Sequence, residues 1–508
     1  MFVLVAITFL LYIFTKTIYR LYFHPLASFP GPKLAAATTL WNAYYDILTP
    51  GLIKHLPELH KKYGPIIRIQ PNELHVADLE GYNQIHRVGT QFDRVWHDNP
   101  FLTGSLQSKI TLAETRKRKE FLSPFFSKSA ISRVEPVLHR KKLVQFLSTL
   151  AATDKTVVNF YYAFRCLTAD VVMDYCFQSD LGALASPGFR NTTVETFVEG
   201  FELATVPFFF PNVFGLLTKF ILALPENVRK ERFPPIHGFQ LMQRMAQVRV
   251  EDAIKSAEAE QAEGKEDGER EEKVPTMFDL MLRPNGSKGQ VTPPKSDMVA
   301  DGCLMIAAGT DTTANALGNI LWHVTQNPDI EAKLLAELKR SIKSKEEVLD
   351  SASLEGQGFE YLRAVVKEGL RLSYGVPGRA IRRVPKDGAR LGEVFVPGGI
   401  TITAGIYLQN TDPNTFPDPF KFVPERWLCD PETYKLRDRQ MLSFSRGSRS
   451  CIGINLANAT LHLTTAHLFR RFEIQTTGYT TAADMEWKDH FVPTPIGKIR
   501  GLVKVRRD

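Results

Sequence analysis

The first 23 residues are patterned unlike the rest of the chain. Residues 2–14 (FVLVAITFLLYIF) are apolar except for Thr8. Lys16 and Arg20 then interrupt Ile18, Tyr19, Leu21, Tyr22 and Phe23. A membrane-spanning helix takes ~20 residues. The strictly apolar run is shorter, but residues 2–23 suffice if the two cations snorkel to the headgroups. Tyr19, Tyr22 and Phe23 suit the aromatic belt, and the cations mark the cytoplasmic end. A cleaved secretory signal would bring a charged n-region and a small-x-small cleavage site. The text shows neither and continues with His24-Pro25-Leu26 and Phe29-Pro30-Gly31-Pro32, a stiff stretch that cannot prolong a helix. The pattern predicts an uncleaved membrane anchor over 1–23, a proline-rich hinge and linker over 24–50, and a body over 51–508 facing the cytosol.

Within the body, residues 52–63 carry helical periodicity and 65–76 alternate as a pair of strands. Helical patterns dominate as far as residue 255. The stretch AEAEQAEGKEDGEREEK (257–273) has no apolar face, so it reads as a surface loop or a frayed helix end. A long helix is predicted over 296–326, opened by Ser296 or Asp297 as N-cap, and another over 359–373. Short Gly-, Pro- and Val-rich strands fall around 381–408. A helix over 452–470 starts beside Cys451, and 470–507 reads as strands and turns. No internal repeat is present. The expected fold class is mainly α with a minor β region.

Composition narrows the class only a little. The 508 residues are 44% hydrophobic, enough for a large core, and no long Gly- or Pro-rich linker divides them. The net charge of +8 suits an acidic protein partner or an anionic membrane face. Its cations are scattered and form no nucleic-acid motif, so no nucleic-acid partner is expected. The five cysteines, Cys166, Cys176, Cys303, Cys429 and Cys451, fit neither a disulfide framework nor a zinc site. That argues for a reducing compartment, in which the sequons at Asn191, Asn285 and Asn458 would stay unglycosylated.

The chemistry concentrates in the loop Phe444-Ser445-Arg446-Gly447-Ser448-Arg449-Ser450-Cys451-Ile452-Gly453. A cysteine ahead of a helix faces unpaired N–H groups and the positive end of the macrodipole, which favour a thiolate. Gly447 and Gly453 allow close backbone approach to a flat object. Arg449 is placed to pair with a carboxylate. A thiolate, a close backbone and a cation suit heme iron with its propionates. A lone cysteine at a helix start would more simply be structural; ten positions of matched spacing would not.

FSRGSRSCIG follows the pattern FxxGxRxCxG without departure, and in this it resembles the heme-binding signature of the cytochrome P450 family. Three further motifs agree in order. Ala308-Gly309-Thr310-Asp311-Thr312-Thr313 resembles the family's oxygen-activating helix, Glu368-Gly369-Leu370-Arg371 its ExxR, and Pro424-Glu425-Arg426-Trp427 its PERF/PERW segment. YRLYFHPLASFPGPKLAA resembles fungal microsomal members in particular. The resemblance spans nearly the whole chain. It implies the cytochrome P450 fold behind an N-terminal transmembrane helix, and heme b with Cys451 as axial metal ligand. Phe444, Arg449 and Gly453 would line the cofactor. Thr312 would gate protons to bound dioxygen and Asp311 would supply them. Glu368, Arg371 and Arg426 are read as a structural network locking the cysteine loop.

One segment departs from the family pattern. Where a Trp or His followed by an Arg often holds a propionate, this chain reads Glu114-Thr115-Arg116-Lys117-Arg118-Lys119, with Thr115 at the His position. Arg118 or Lys119 is left for that role, and Arg379 in Pro377-Gly378-Arg379 is the second propionate candidate. The 116–119 cations are also a solvated basic face suited to an acidic reductase.

The resemblance implies a monooxygenase of the endoplasmic reticulum membrane, single-pass, fed electrons from NADPH by NADPH-cytochrome P450 reductase. One alternative is a heme-thiolate isomerase or dehydratase that needs no dioxygen, against which the Asp311-Thr312 pair argues. Another is a non-catalytic heme-binding sensor. The pocket walls expected from the family's variable segments (97–110, 203–214, Leu304, Ala308, 374–381 and 490–497) are apolar and aromatic, which suits a lipophilic ligand. A terpenoid, or another fungal secondary metabolite, is the expected substrate class.

Overall fold

The structure, a computed structural model, describes residues 1–95, 101–136, 138–203, 205–262, 274–284 and 289–507. Helix α1 (Phe2–Ile18) buries none of its residues and continues through a π-type turn, Tyr19–Phe23. Together they are long and apolar enough to cross a membrane. The turn is tied to the body: Arg20 Nη1 donates to the Ala37 carbonyl at 2.7 Å, and Arg68 Nη1 donates to the Arg20 carbonyl at 2.9 Å. Residues 24–50, expected as hinge and linker, pack instead of linking. Leu26 and Ala35 are fully buried, because the prolines turn the chain back over β1 (Ile66–Gln70).

Strand β1 pairs antiparallel with β2 (Glu73–Val76), as the alternation predicts. Next come β3 (Asp93–Arg94), α2 (Leu112–Phe125), α3 (Phe160–Phe177), α4 (Pro211–Leu222) and α5 (Pro234–Ala262). The remaining elements that position the site are α6 (Lys295–Thr325), α7 (Glu360–Ser373), β4 (Arg382–Arg383), β5 (Thr401–Ala404) and α8 (Ile454–Arg471). The largest sheet has the order β1-β2-β5-β4-β3. β2 and β5 run parallel, with Glu73 opposite Thr401. A three-stranded sheet of Val157–Asn159, Arg500–Val505 and Phe472–Gln475 closes the far side. Elsewhere helices dominate, as expected.

Helix α6 is the axis of the body. It packs against α3, α5, α7 and α8 and is buried over most of its circumference, which is how a helix apolar all round is accommodated. Its start corrects one expectation. The N-cap is Pro294, with no side-chain cap bond, because Asp297 is drawn into ion pairs with Lys109 and Arg118. The acidic stretch begins within α5, while 263–273 lie outside the described residues, as do 97–100 of the expected pocket wall and the Asn285 sequon. Asn191 caps the helix Thr192–Gly200. All five cysteines are free.

Candidate functional site

The loop before α8 is shaped by its neighbours on the α2 side of the body. The Cys451 N–H donates to the Phe444 carbonyl at 2.9 Å, closing the loop on itself. Lys119 Nζ on α2 donates to the Ser450 carbonyl at 2.9 Å. Gly447 has φ +77°, and a Cβ there would lie 1.7 Å from the His86 carbonyl oxygen. The glycine is therefore demanded by backbone packing, not by the flat object the sequence suggested. At Gly453 a Cβ would meet only the Cys451 sulfur, at 4.0 Å. Cys451 itself is exposed although the loop is enclosed. Burial pushes its thiol up, and the Gly453 N–H and Lys119 pull it back only in part. The helix terminus alone thus does not create the thiolate expected from sequence; a bound metal ion would, since coordination deprotonates a thiol outright.

Beside this loop lies a set of cations. Arg94 on β3, Arg382 on β4, Arg449 and Lys119 form no ion pair among the described residues. Arg382 is 4% exposed, and among the described residues its guanidinium hydrogen-bonds to the Ile381 carbonyl and His86 Nδ1. Arg449 Nη1 donates to the Lys109 carbonyl at 2.7 Å and Nη2 to that of Ile110, while its buried Nε has no partner among the described residues. Arg94 donates to the Gln107 carbonyl. Burial, then Arg449, pulls Arg382 down to about 10. Burial, then Arg382 and Arg449, pulls Arg94 well below its usual range. Arg449 falls through burial, although Asp93 and Glu114 oppose the shift. Buried like charges without counter-ions are costly, and a dianionic group seated among them would relieve that cost. The residues present therefore fit a heme whose two propionates lie here and whose iron meets Cys451.

Two expected propionate ligands are elsewhere. Arg118 turns away from the cysteine loop, to Asp297 at 2.7 Å and Asp301 at 3.3 Å on α6. Arg379 is taken by Asp46 at 2.9 Å and Glu73 at 2.7 Å, which hold its charge firmly on. Both are neutralised, so neither attracts a further carboxylate. Arg94 and Arg382, which the structure brings beside the loop, were not singled out in the sequence. Their only signal was a cation in each of two short strands with no acid in register, and Asp93↔Arg383 is the neighbouring pair.

On α6, one turn is exposed. Ala308 is exposed while Met305, Ile306 and Ala307 before it are buried, and Gly309 and Thr312 are partly exposed. Thr312 Oγ1 donates to the Ala308 carbonyl at 2.8 Å, the i−4 back-bond that bends helices. Gly309 faces α3, where a Cβ would meet Val172 Cγ2 at 2.4 Å. Asp311 also faces α3: Arg165 donates to it from Nε at 2.7 Å and sits 2.5 Å away through Nη2. The two adjacent residues, expected to act together, thus point to different surroundings.

The network behind the loop is as expected. Glu368 accepts from Arg371 at 2.8 and 2.9 Å, from Arg426 at 3.3 Å and from the Trp427 indole at 3.0 Å. Arg371 Nη1 donates to the Asn410 carbonyl at 2.8 Å, and Asn410 Oδ1 accepts from the Leu442 N–H at 2.8 Å. The chain of bonds ends two residues before Phe444, which anchors the loop to α7.

The chain is similar to known proteins. A model of the family described as Cytochrome P450 matches residues 38–499. The chain is 33% identical to the cytochrome P450 monooxygenase macH of Penicillium terrestre, over 99% of this chain and 97% of that one. It is 34% identical to the cytochrome P450 monooxygenase MO6277 of Ascocoryne sarcoides, over 97% and 96%, and 34% identical to sdnE of Sordaria araneosa, over 98% and 96%. The chain belongs to the cytochrome P450 family. It is a monooxygenase, an oxidoreductase of fungal secondary-metabolism type that uses a heme-thiolate cofactor, dioxygen and a redox partner.

Proposed function

We propose that the enzyme inserts one atom of dioxygen into a lipophilic terpenoid or related fungal secondary metabolite. Electrons come from NADPH through NADPH-cytochrome P450 reductase, at the endoplasmic reticulum membrane, with the body on the cytosolic side. The observation that carries the reading is the cation set Arg94–Arg382–Arg449–Lys119, which forms no ion pair among the described residues, beside an exposed Cys451. Cys451 ligates the iron of heme b; Arg449, Arg382, Arg94 and Lys119 hold the propionates; Phe444 and Gly453 line the thiolate side. When bound, the heme supplies binding and activation of dioxygen. Ala308 leaves room above the helix. Thr312 Oγ1, released from the Ala308 carbonyl, holds the water through which protons arrive. Asp311 is the acid behind that water, and Arg165 fixes its position. Leu304 and the Phe208–Phe491 ring pair, 6.3 Å between centroids, present apolar and aromatic surface to the substrate. The segment 1–23 anchors the body, and residues 51–508 form the catalytic domain.

The test is turnover of cyclic terpene hydrocarbons by the full chain with reductase and NADPH under isotopically heavy dioxygen. One heavy oxygen atom per product molecule is expected. A product formed without it would overturn the reading in favour of an isomerase or dehydratase.

A further inference from the structure

The short helix Leu79–His86, opened by Asp78 capping the Gly81 N–H, carries two buried side chains that the machinery described so far does not use. Tyr82 and His86 lie four apart on one helix face and stack, with ring centroids 4.3 Å apart and 23° between planes. Each reaches a different part of the heme site. The Tyr82 hydroxyl hydrogen-bonds the Ser445 hydroxyl at 2.9 Å, in the cysteine loop, at a residue held in the left-handed region with φ +57°. His86 Nδ1 meets Arg382 Nη2 at 3.3 Å.

The contact between His86 and Arg382 has a fixed sense. A guanidinium only donates, so Nδ1 accepts and the ring proton sits on Nε2. That nitrogen is buried without a hydrogen-bond partner among the described residues. Burial, then Arg382, Arg94 and Arg449, pulls the imidazole well below its usual range, so the ring stays neutral and remains an acceptor. Arg382 needs one. It stands directly opposite Arg94 across β3 and β4, where like charges repel. Its other hydrogen bond among the described residues goes to the adjoining Ile381 carbonyl. His86 is therefore the side chain that sets where this guanidinium points. Packing alone does not explain a histidine here, because an apolar ring would stack on Tyr82 without burying an idle N–H.

We propose that His86 is a positioning residue of the heme site: by accepting from Arg382 it holds that guanidinium in place for a propionate, and through its stack on Tyr82 it ties the propionate seat to the Ser445 turn of the cysteine loop. The inference rests on the heme-binding reading of the cation set and extends it to the residues behind those cations.

His86→Phe and His86→Asn in the heme-loaded full chain test this. Phenylalanine keeps the stack and removes the acceptor; asparagine loses the ring but puts an amide oxygen near the Nδ1 position. Heme transfer to apomyoglobin should run roughly tenfold faster from His86→Phe, the order expected for loss of a hydrogen bond to a charged group, and near the parental rate from His86→Asn. In an Arg382→Gln background His86→Phe should add nothing, since a residue that acts through another is not additive with it. Tyr82→Phe should lose the thiolate band of the carbon monoxide complex several-fold faster on warming. If His86→Phe folds poorly, His86→Gln, which carries its oxygen to the Nε2 position, takes its place with the same expectation. A parental transfer rate in His86→Phe overturns the role. So do equal losses in His86→Phe and His86→Asn, which would assign His86 to packing, and additive effects with Arg382→Gln. A parental band lifetime in Tyr82→Phe overturns the tie to the cysteine loop. Failure of the heme reading looks different: Arg382→Gln itself would then release heme at the parental rate.

Discussion

Arg165 and Asp311 form an ion pair sealed from solvent, with the two side chains 2% and 3% exposed. Arg165 also stacks its guanidinium 3.6 Å from the Tyr161 ring centroid. The pair joins α3 to α6 beside the oxygen-activating turn, where Thr168 Oγ1 on α3 donates to the Thr310 carbonyl at 2.6 Å. Removing one partner leaves a buried charge unpaired, which costs about 3–5 kcal/mol. Asp311→Asn should therefore lower the melting temperature sharply, and Asp311→Asn with Arg165→Met should recover most of the loss. The four-variant melting cycle measures the coupling; additive losses would show that the pair is not an energetic unit.

Cys451→Ala should remove the thiolate Soret band of the carbon monoxide complex. None of the other four cysteines lies in this loop, and Cys166, Cys176 and Cys303 are buried elsewhere in the body. A parental band in the variant would remove Cys451 from the iron.

Arg382→Gln should loosen heme and relieve repulsion among the cations of the heme-free protein at the same time. The guanidinium is repelled by Arg449 while no anion is present, so the heme-free variant should melt no lower than heme-free parent. With propionates in place it contributes a charge-assisted bond of about 1.5–3 kcal/mol. Heme transfer to apomyoglobin should therefore run at least tenfold faster than from the parent. A rate equal to the parent's would place the propionates away from Arg382.

The Cys451 loop, the Glu368 network and the course of α6 were legible in the sequence because each is local: spacing within one loop, two residues three apart on one helix, and a single long apolar pattern. The cation set proposed to hold the propionates was not, because it is assembled from β3, β4 and the loop before α8, which lie far apart in sequence. Arg118 and Arg379 were plausible by position, yet Asp297, Asp301, Asp46 and Glu73 reach them first, and a sequence does not display which acid a cation will meet. Residues 24–50 misled for a related reason. Proline stiffness was read correctly, but the burial of Leu26, Ala35 and Asn42 depends on β1, which the prolines fold back upon.

Glu368→Gln should prevent stable heme incorporation without touching the cofactor. The carboxylate is fully buried and accepts from Arg371, Arg426, Trp427 and the Val423 N–H. A neutral amide cannot accept from all of them and leaves Arg371 and Arg426 uncompensated, again about 3–5 kcal/mol. Because the bonds run on to Leu442, the cysteine loop should loosen with the rest. Soluble expression and heme content per protein should both drop. Full heme content in the variant would confine the network to stability remote from the loop.

Thr312→Ala should uncouple electron flow from product formation. Ala308 and Thr312 form the open face of α6, and the hydroxyl that now donates to the Ala308 carbonyl at 2.8 Å is the polar side-chain group of that face. Proton delivery to bound dioxygen needs a donor held in place, and alanine removes the hydroxyl together with the γ-methyl. NADPH consumption should persist, hydrogen peroxide should rise, and product per NADPH should fall by roughly 10- to 100-fold, the low end of what one positioned proton-transfer group supplies. The helix should not suffer, since an i−4 back-bond slightly destabilises a helix; the melting temperature and carbon monoxide band should match the parent. Asp311→Asn separates the two readings of the neighbouring acid. If Asp311 feeds the water at Thr312, its variant will uncouple as well as destabilise, and the solvent isotope effect on product formation will increase in both variants. If only Thr312→Ala uncouples, the acid serves Arg165 alone, and the protons reach Thr312 by water from another side of the cavity.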